Sequence, residues 1–406
     1  MRSSAAVSAN EERALGAASP AAQTAGYFLA FVGIGLFTAL LGPTLSSLAV
    51  STGVTLGQIS VLFPMRSFGY LLGALAGGRS YDRMRGHPLI ASAFMVIAIA
   101  LAVVPTAQQL WLLVVAFFVV GIAEGIVDVG GNTLMVWVHG TKVAPFMNAL
   151  HFFFGLGAFV APLIVAQVIA WSDGHVAWAY WLVALTAIVP ALWHWRVPSP
   201  ARPTFAHDLT NARGQARVGL ALLMATFFFL YVGTEVAFSG WIAGYAVARG
   251  YGDAAAAAVL TSAFWGAFTL GRLLSVPLAA RLRPQQVMLL DFVLCLPGMA
   301  FLLLDGRSPL SLWAGVIVVG LGMAAMFPTM LSLAESRMRI TGGITATFLA
   351  GSSLGGMTLP WLIGQLFEPL GPRVMPWAVL ICILAAGMTF ALVNTVSRPR
   401  PNRDRQ

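Results

Sequence analysis

The stretch GIAEGIVDVGGNTLMVWVHG, residues 121–140, is apolar enough to enter a bilayer, yet it carries Glu124, Asp128 and Asn132. These three stand at i, i+4 and i+8, so on a helix of 3.6 residues per turn they form one stripe that drifts slowly around the axis. A carboxylate at the centre of a bilayer costs about 2.5–3.5 kcal/mol on insertion scales, so such a stripe belongs against protein or a water-filled cavity, not lipid.

The rest of the chain fits a membrane setting. Of its 406 residues 59% are hydrophobic and 9% charged, against about 25% charged in a soluble domain. The net charge of +9 does not point to nucleic acid, because the basic residues lie between hydrophobic runs instead of clustering on one soluble face. Cys295 and Cys382 both lie inside apolar runs and imply no disulfide framework. The opening MRSSAAVSANEERALGAASP has no apolar core of the kind a secretory signal requires, so a retained, intracellular N-terminus is expected. The chain holds neither a phosphate-binding Gly-Lys-Ser/Thr loop nor His and acid residues at metal-ligand spacing. Neither an enzyme nor a cofactor or metal is expected.

Runs long enough to cross a bilayer, about 20 residues each, fall near 22–50, 57–80, 88–106, 109–138, 144–171 and 176–196, then near 217–247, 255–280, 285–304, 309–334, 343–369 and 374–396. The predicted fold is an all-α integral membrane protein of twelve transmembrane helices in two pseudo-symmetric six-helix halves. The halves cover 22–197 and 217–397, with a polar linker at 198–216 and tails at 1–21 and 398–406. Of the 23 Lys and Arg, Arg249, Arg307 and Arg373 fall on one side and Arg66 and Arg272 within spans. All the others fall on the side of both termini, which places that side in the cytoplasm. A monomer in the cytoplasmic (inner) membrane is expected. The halves echo each other: GYLLGALAGGRSYDR in the second span and GAFTLGRLLSVPLAARLR in the eighth both run into a basic turn, with Gly73 and Gly271 equivalent. Such repeats point to alternating access about a midplane site.

The turn GRSYDRMRGHP resembles the cytoplasmic signature of the major facilitator superfamily, with Gly78, Asp82, Arg83, Arg85 and Gly86 matching. It carries one extra residue before Gly86, and His87 and Pro88 stand where basic residues are usual. A narrower resemblance, to the fucose-permease and sodium-dependent-glucose-transporter branch, rests on DVGGNTLMVW, NALHFFFGLGAFVAPL, FLYVGTEVAFSGWIAGYA, FWGAFTLGRLLS, AAMFPTMLSLAES and GSSLGGMTLPWLIG, in this order across both halves. The resemblance implies a sugar or sugar-like substrate driven by a cation gradient, proton or sodium. It also implies a cytoplasmic gate at Asp82, Arg83 and Arg85, and fourth and seventh helices that face one cavity from opposite halves.

Candidate substrate ligands are Asp128, Asn132, Asn148, Glu235 and Gln365, which together offer the donors and acceptors a polyol demands, with Trp265 and Trp361 as platforms for the C–H face of a sugar ring. Candidate cation-coupling residues are Glu124, as a neutral acid that exchanges a proton, together with Asp128, His151, Glu235 and Arg272. Arg272 is placed to neutralise a carboxylate or to bind substrate bidentately. Arg66 and Asp291 read as structural, Asp291 through a surface pair with Arg281 and Arg283. The leading reading is a secondary transporter of a sugar or polyol. The alternatives are a proton-coupled exporter of amphipathic compounds and a non-transporting membrane sensor of ligand.

Overall fold

A computed structural model describes residues 19–202, 218–304, 308–338 and 340–396. Most of the expected linker and tails lies outside these residues. The described residues form twelve long helices: α1 Pro20–Thr52, α2 Leu56–Tyr81, α3 Gly86–Val103, α4 Leu110–His139, α5 Ala144–Trp171, α6 Ala177–Arg196, α7 Val218–Ala248, α8 Ala254–Ala279, α9 Pro284–Leu304, α10 Pro309–Arg337, α11 Gly342–Leu370 and α12 Val374–Val396. Eleven are long and apolar enough to cross a membrane. The other, α11, is diluted by Gly, Ser and Thr, but its 29 residues extend about 43 Å, enough to span.

Local chemistry sets the ends and breaks. Ser19 caps α1 with Pro20 in its first turn, and Gly53 closes it at φ 66, a left-handed position that glycine occupies without strain. Two spans expected to be continuous are interrupted, α2 at Ser60–Val61 and α10 at Ala324–Ala325. Both breaks sit four residues before a proline, Pro64 and Pro328, whose ring has no N–H to donate and crowds the carbonyl at i−4.

Glycines let the helices of each half approach to backbone contact. On α2 and α4 a Cβ added at Gly69 would lie 2.2 Å from the Phe118 carbonyl oxygen, and at Gly73 2.0 Å from that of Ile122. Reciprocally, a Cβ at Gly121 would lie 2.1 Å from the Arg66 oxygen and at Gly125 2.3 Å from the Tyr70 oxygen. The echo seen in the sequence is also one of packing: Gly271 of α8 sits against Ala324 and Leu321 of α10 as Gly73 of α2 sits against α4.

The two halves meet tightly at one end and part at the other. At the end away from the basic turns, Gly42 of α1 packs on Ser239 and Gly240 of α7, and Gly364 of α11 on Ser60. Gln365 Nε2 donates to the Gly57 carbonyl (2.7 Å) and to Ser60 Oγ (3.2 Å), and the Leu56 N–H donates to Glu368 Oε1 (3.0 Å). At the basic end, a Cβ added at Gly78 of α2 or Gly342 of α11 would meet nothing within 4 Å, and Asp82, Arg83 and Arg85 are exposed.

The glycine seam predicts a sharp contrast. Gly73→Val should destabilise the protein by about 3 kcal/mol or more, since the clash is with backbone and not with a mobile side chain. Gly78→Ala, in open space five residues on, should change stability by less than about 0.5 kcal/mol. Thermal unfolding in detergent reads both, and equal stability of the two variants would mean that α2 and α4 are not in backbone contact.

Candidate functional site

Helices α2 and α4 run parallel, so residues that face each other keep a constant sequence offset. Arg66 and Tyr70 on α2 stand opposite Glu124 and Asp128 on α4, each pair 58 residues apart, and each partner set is spaced i, i+4. Arg66 Nε donates to Glu124 Oε2 (2.8 Å) and Arg66 Nη2 to Glu124 Oε1 (2.9 Å), a bidentate pair. Nη2 also donates to Thr38 Oγ1 of α1 (2.9 Å). One turn toward the basic end, the Tyr70 hydroxyl donates to Asp128 Oδ2 (2.7 Å). Asn132 Nδ2 donates back to the Asp128 carbonyl oxygen (2.9 Å) and to Oδ1 (3.3 Å). Two carboxylates one turn apart therefore hold different partners among the described residues: Glu124 a guanidinium, Asp128 neutral donors.

The other half contributes Glu235 from α7, with Tyr231 and Arg272 as its polar neighbours. The Tyr231 hydroxyl donates to the Met323 carbonyl (3.0 Å) at the α10 break. Arg272 lies 4.5 Å over the Phe268 ring centroid, a cation–π arrangement, and His151 of α5 is within its electrostatic reach. Arg66 and Glu235 line one and the same cavity, a small one, with Thr38, Phe63, Val236, Ser239, Trp265 and the glycine contact of α1 with α7. It lies at the junction of the halves, just inside the sealed end.

Of the expected site residues, Glu235 and Trp265 are thus brought to one cavity, and Asp128 and Asn132 to the adjoining ladder of bonds. Glu124 is 1% exposed and is not the isolated neutral acid expected, since both of its oxygens are held by Arg66. Arg66, expected to be structural, does make that pair but also lines the cavity. Gln365 is not at the cavity: it lies further along α11 and ties the halves together at the sealed end. Trp361 is 41% exposed and is absent from the cavity wall. His151 and Asn148 are exposed toward the basic end, His151 with its ring edge-on to Phe31 at 5.9 Å. The surface pair expected for Asp291 does not form. Asp291 lies two turns into α9 against Gly322 and is 5% exposed, with no partner for Oδ2 among the described residues, while Arg281 and Arg283 are exposed. Thr38, Tyr70 and Ser239 were missed. Tyr70 carried a signal, its i+4 spacing from Arg66 repeating that of Glu124 and Asp128.

Residues 26–360 match the sequence model of the Major Facilitator Superfamily. Sodium-dependent glucose transporter 1 of Homo sapiens is 32% identical to the chain, over 93% of it and 80% of that protein. Sodium-dependent glucose transporter 1A of Mus musculus is 31% identical over 84% and 88%. Among solved structures, the nucleoside transporter NupG aligns with a TM-score of 0.73 over 91% of this chain and 100% of that one. At 12% identity, that likeness speaks for the fold alone.

The buried pair yields a test by double substitution. Arg66→Met alone should cost about 3–5 kcal/mol, because it strands the Glu124 charge. Adding Glu124→Leu should recover most of that loss, since two apolar side chains leave nothing unpaired. Additive losses in thermal unfolding would show that the two residues do not pair.

Proposed function

The chain belongs to the Major Facilitator Superfamily, and on that premise we propose that it is a secondary active transporter of a sugar or related polyol, working by alternating access and driven by a cation gradient. The observation that carries this reading is the cavity between the halves, to which Arg66 comes from one half and Glu235 from the other. A ligand held by both halves binds best when they close on it, and that differential affinity couples binding to rocking. The relatives named as sodium-dependent glucose transporters support a sugar as cargo and favour sodium over a proton.

The basic face is the cytoplasmic one by the distribution of Lys and Arg, so the conformation described is open to the cytoplasm and sealed on the other side. Asp82, Arg83 and Arg85, exposed on that open side, form the gate that closes when the transporter turns outward. The membrane is the cytoplasmic (inner) membrane, and the protein works as a monomer.

Asp128 is the coupling carboxylate. Glu124 already has a fixed cation in Arg66, whereas Asp128 is held by a phenol and a carboxamide and has no fixed cation among the described residues, so its carboxyl is the one left to take a cation from solution. The ligand bridges the ladder at Asp128 and Asn132 to Glu235.

Counterflow in proteoliposomes with labelled hexoses, pentoses and cyclitols tests the cargo, and repeating uptake under imposed sodium and pH gradients tests the ion. Asp128→Asn keeps the shape and one accepting oxygen for Tyr70 but removes the charge, so counterflow should persist while gradient-driven accumulation falls at least tenfold. Full accumulation by the variant would remove Asp128 from the coupling role. Absence of counterflow with every neutral sugar in the wild-type protein would overturn the sugar reading.

A further inference from the structure

We infer that Arg66 and Trp265 form a donor pair that selects the substrate by one hydroxyl oxygen, with Glu235 accepting from a neighbouring hydroxyl. The inference rests on the polyol reading above and deepens it, by naming the residues that read the hydroxyl pattern.

A guanidinium offers five N–H donors in a fixed fork and an indole offers one, with no acceptor on either. Arg66 spends Nε and Nη2 on Glu124 and Thr38. Its Nη1 makes no bond among the described residues, although the residue lines the cavity with its side chain 15% exposed. Trp265, on the same cavity wall, is 2% exposed, and its Nε1 has no partner among the described residues. Buried donors are nearly always satisfied, so a vacant one beside a cavity calls for an acceptor brought by a ligand. Both donors are held in direction: Arg66 by its bidentate pair, and the Trp265 ring by edge contacts with Phe154, Phe264 and Phe268 at 5.3–6.0 Å.

The remaining wall decides the ligand's chemistry. A carboxylate would satisfy the donors but would share the cavity with Glu235, and an ammonium would satisfy Glu235 but face Arg66. A pair of adjacent hydroxyls meets both, one oxygen accepting from the donors and the other O–H donating to the carboxylate. Ser239 donates its own proton to the Glu235 carbonyl (2.9 Å) and so turns only lone pairs toward the cavity. Phe63 and Val236 supply apolar surface for the C–H face of a ring.

The experiment measures equilibrium binding of labelled neutral hexoses, pentoses and cyclitols to the purified protein. For the tightest-binding member, it adds the deoxy and deoxyfluoro analogues at each position. Fluorine accepts a hydrogen bond weakly and donates none, so it reports donors on the protein. In the wild type, one position should tolerate fluorine but lose about tenfold in affinity with hydrogen, the usual weight of one such bond. Trp265→Phe, which keeps the packed ring, should lose a similar factor for the parent compound and show no further loss for the deoxy analogue at that position. A uniform weakening by Trp265→Phe across all analogues would reduce the residue to packing and overturn the inference, leaving the transporter reading intact. If the variant does not fold, the wild-type series decides alone: no position that distinguishes fluorine from hydrogen overturns the donor pair. A wild type that binds no neutral polyol overturns both the donor pair and the sugar reading.

Discussion

The backbone contact between α2 and α4 is the constraint on which the site depends. With glycine at 69, 73, 121 and 125, no Cβ separates the two helices, and their axes come close enough for Arg66 to reach Glu124 with both arms of its fork. A buried ion pair recovers its desolvation cost only with such geometry. Because the helices are parallel, the same register repeats one turn on, where Tyr70 meets Asp128. One packing decision thus produces both a carboxylate paired with a guanidinium and one bonded by a phenol.

Fixing Arg66 in this way also fixes what it shows to the rest of the molecule. Two of its nitrogens are committed to α4 and α1, and the third is left beside a cavity whose far wall belongs to the other half. The bonds of Gln365 and Glu368 to the start of α2 hold that cavity shut on one side. On the other side, α2 and α11 diverge toward the basic turns. With a rigid ladder in one half and a carboxylate of the other half across the cavity, relative motion of the halves changes the distance between the two sets of polar groups.

Much of this was legible in the sequence. The spans follow from apolar runs and their basic punctuation, and the stripe of Glu124, Asp128 and Asn132 follows from helical period alone. Periodicity says which residues share a face of one helix but not how that helix is rotated against its neighbours. For that reason Arg66 read as a structural residue, although its i+4 spacing to Tyr70 matched the acid pair on α4. Gln365 and Trp361 share one helix within a turn of each other, yet one ties the halves and the other is 41% exposed. Depth along the span puts both off the wall that Arg66 and Glu235 share, and composition does not encode depth to a single turn. The breaks in α2 and α10 were readable in principle from Pro64 and Pro328, each four residues past the interruption.

The most direct measurement is an experimental structure with a transported sugar bound. The ring is expected between Arg66 and Glu235, with hydroxyl oxygens within hydrogen-bond distance of Arg66 Nη1 and of the Glu235 carboxylate, and with the Arg66–Glu124 pair intact. A sugar held by residues of one half only, or one that has displaced Glu124 from Arg66, would contradict it.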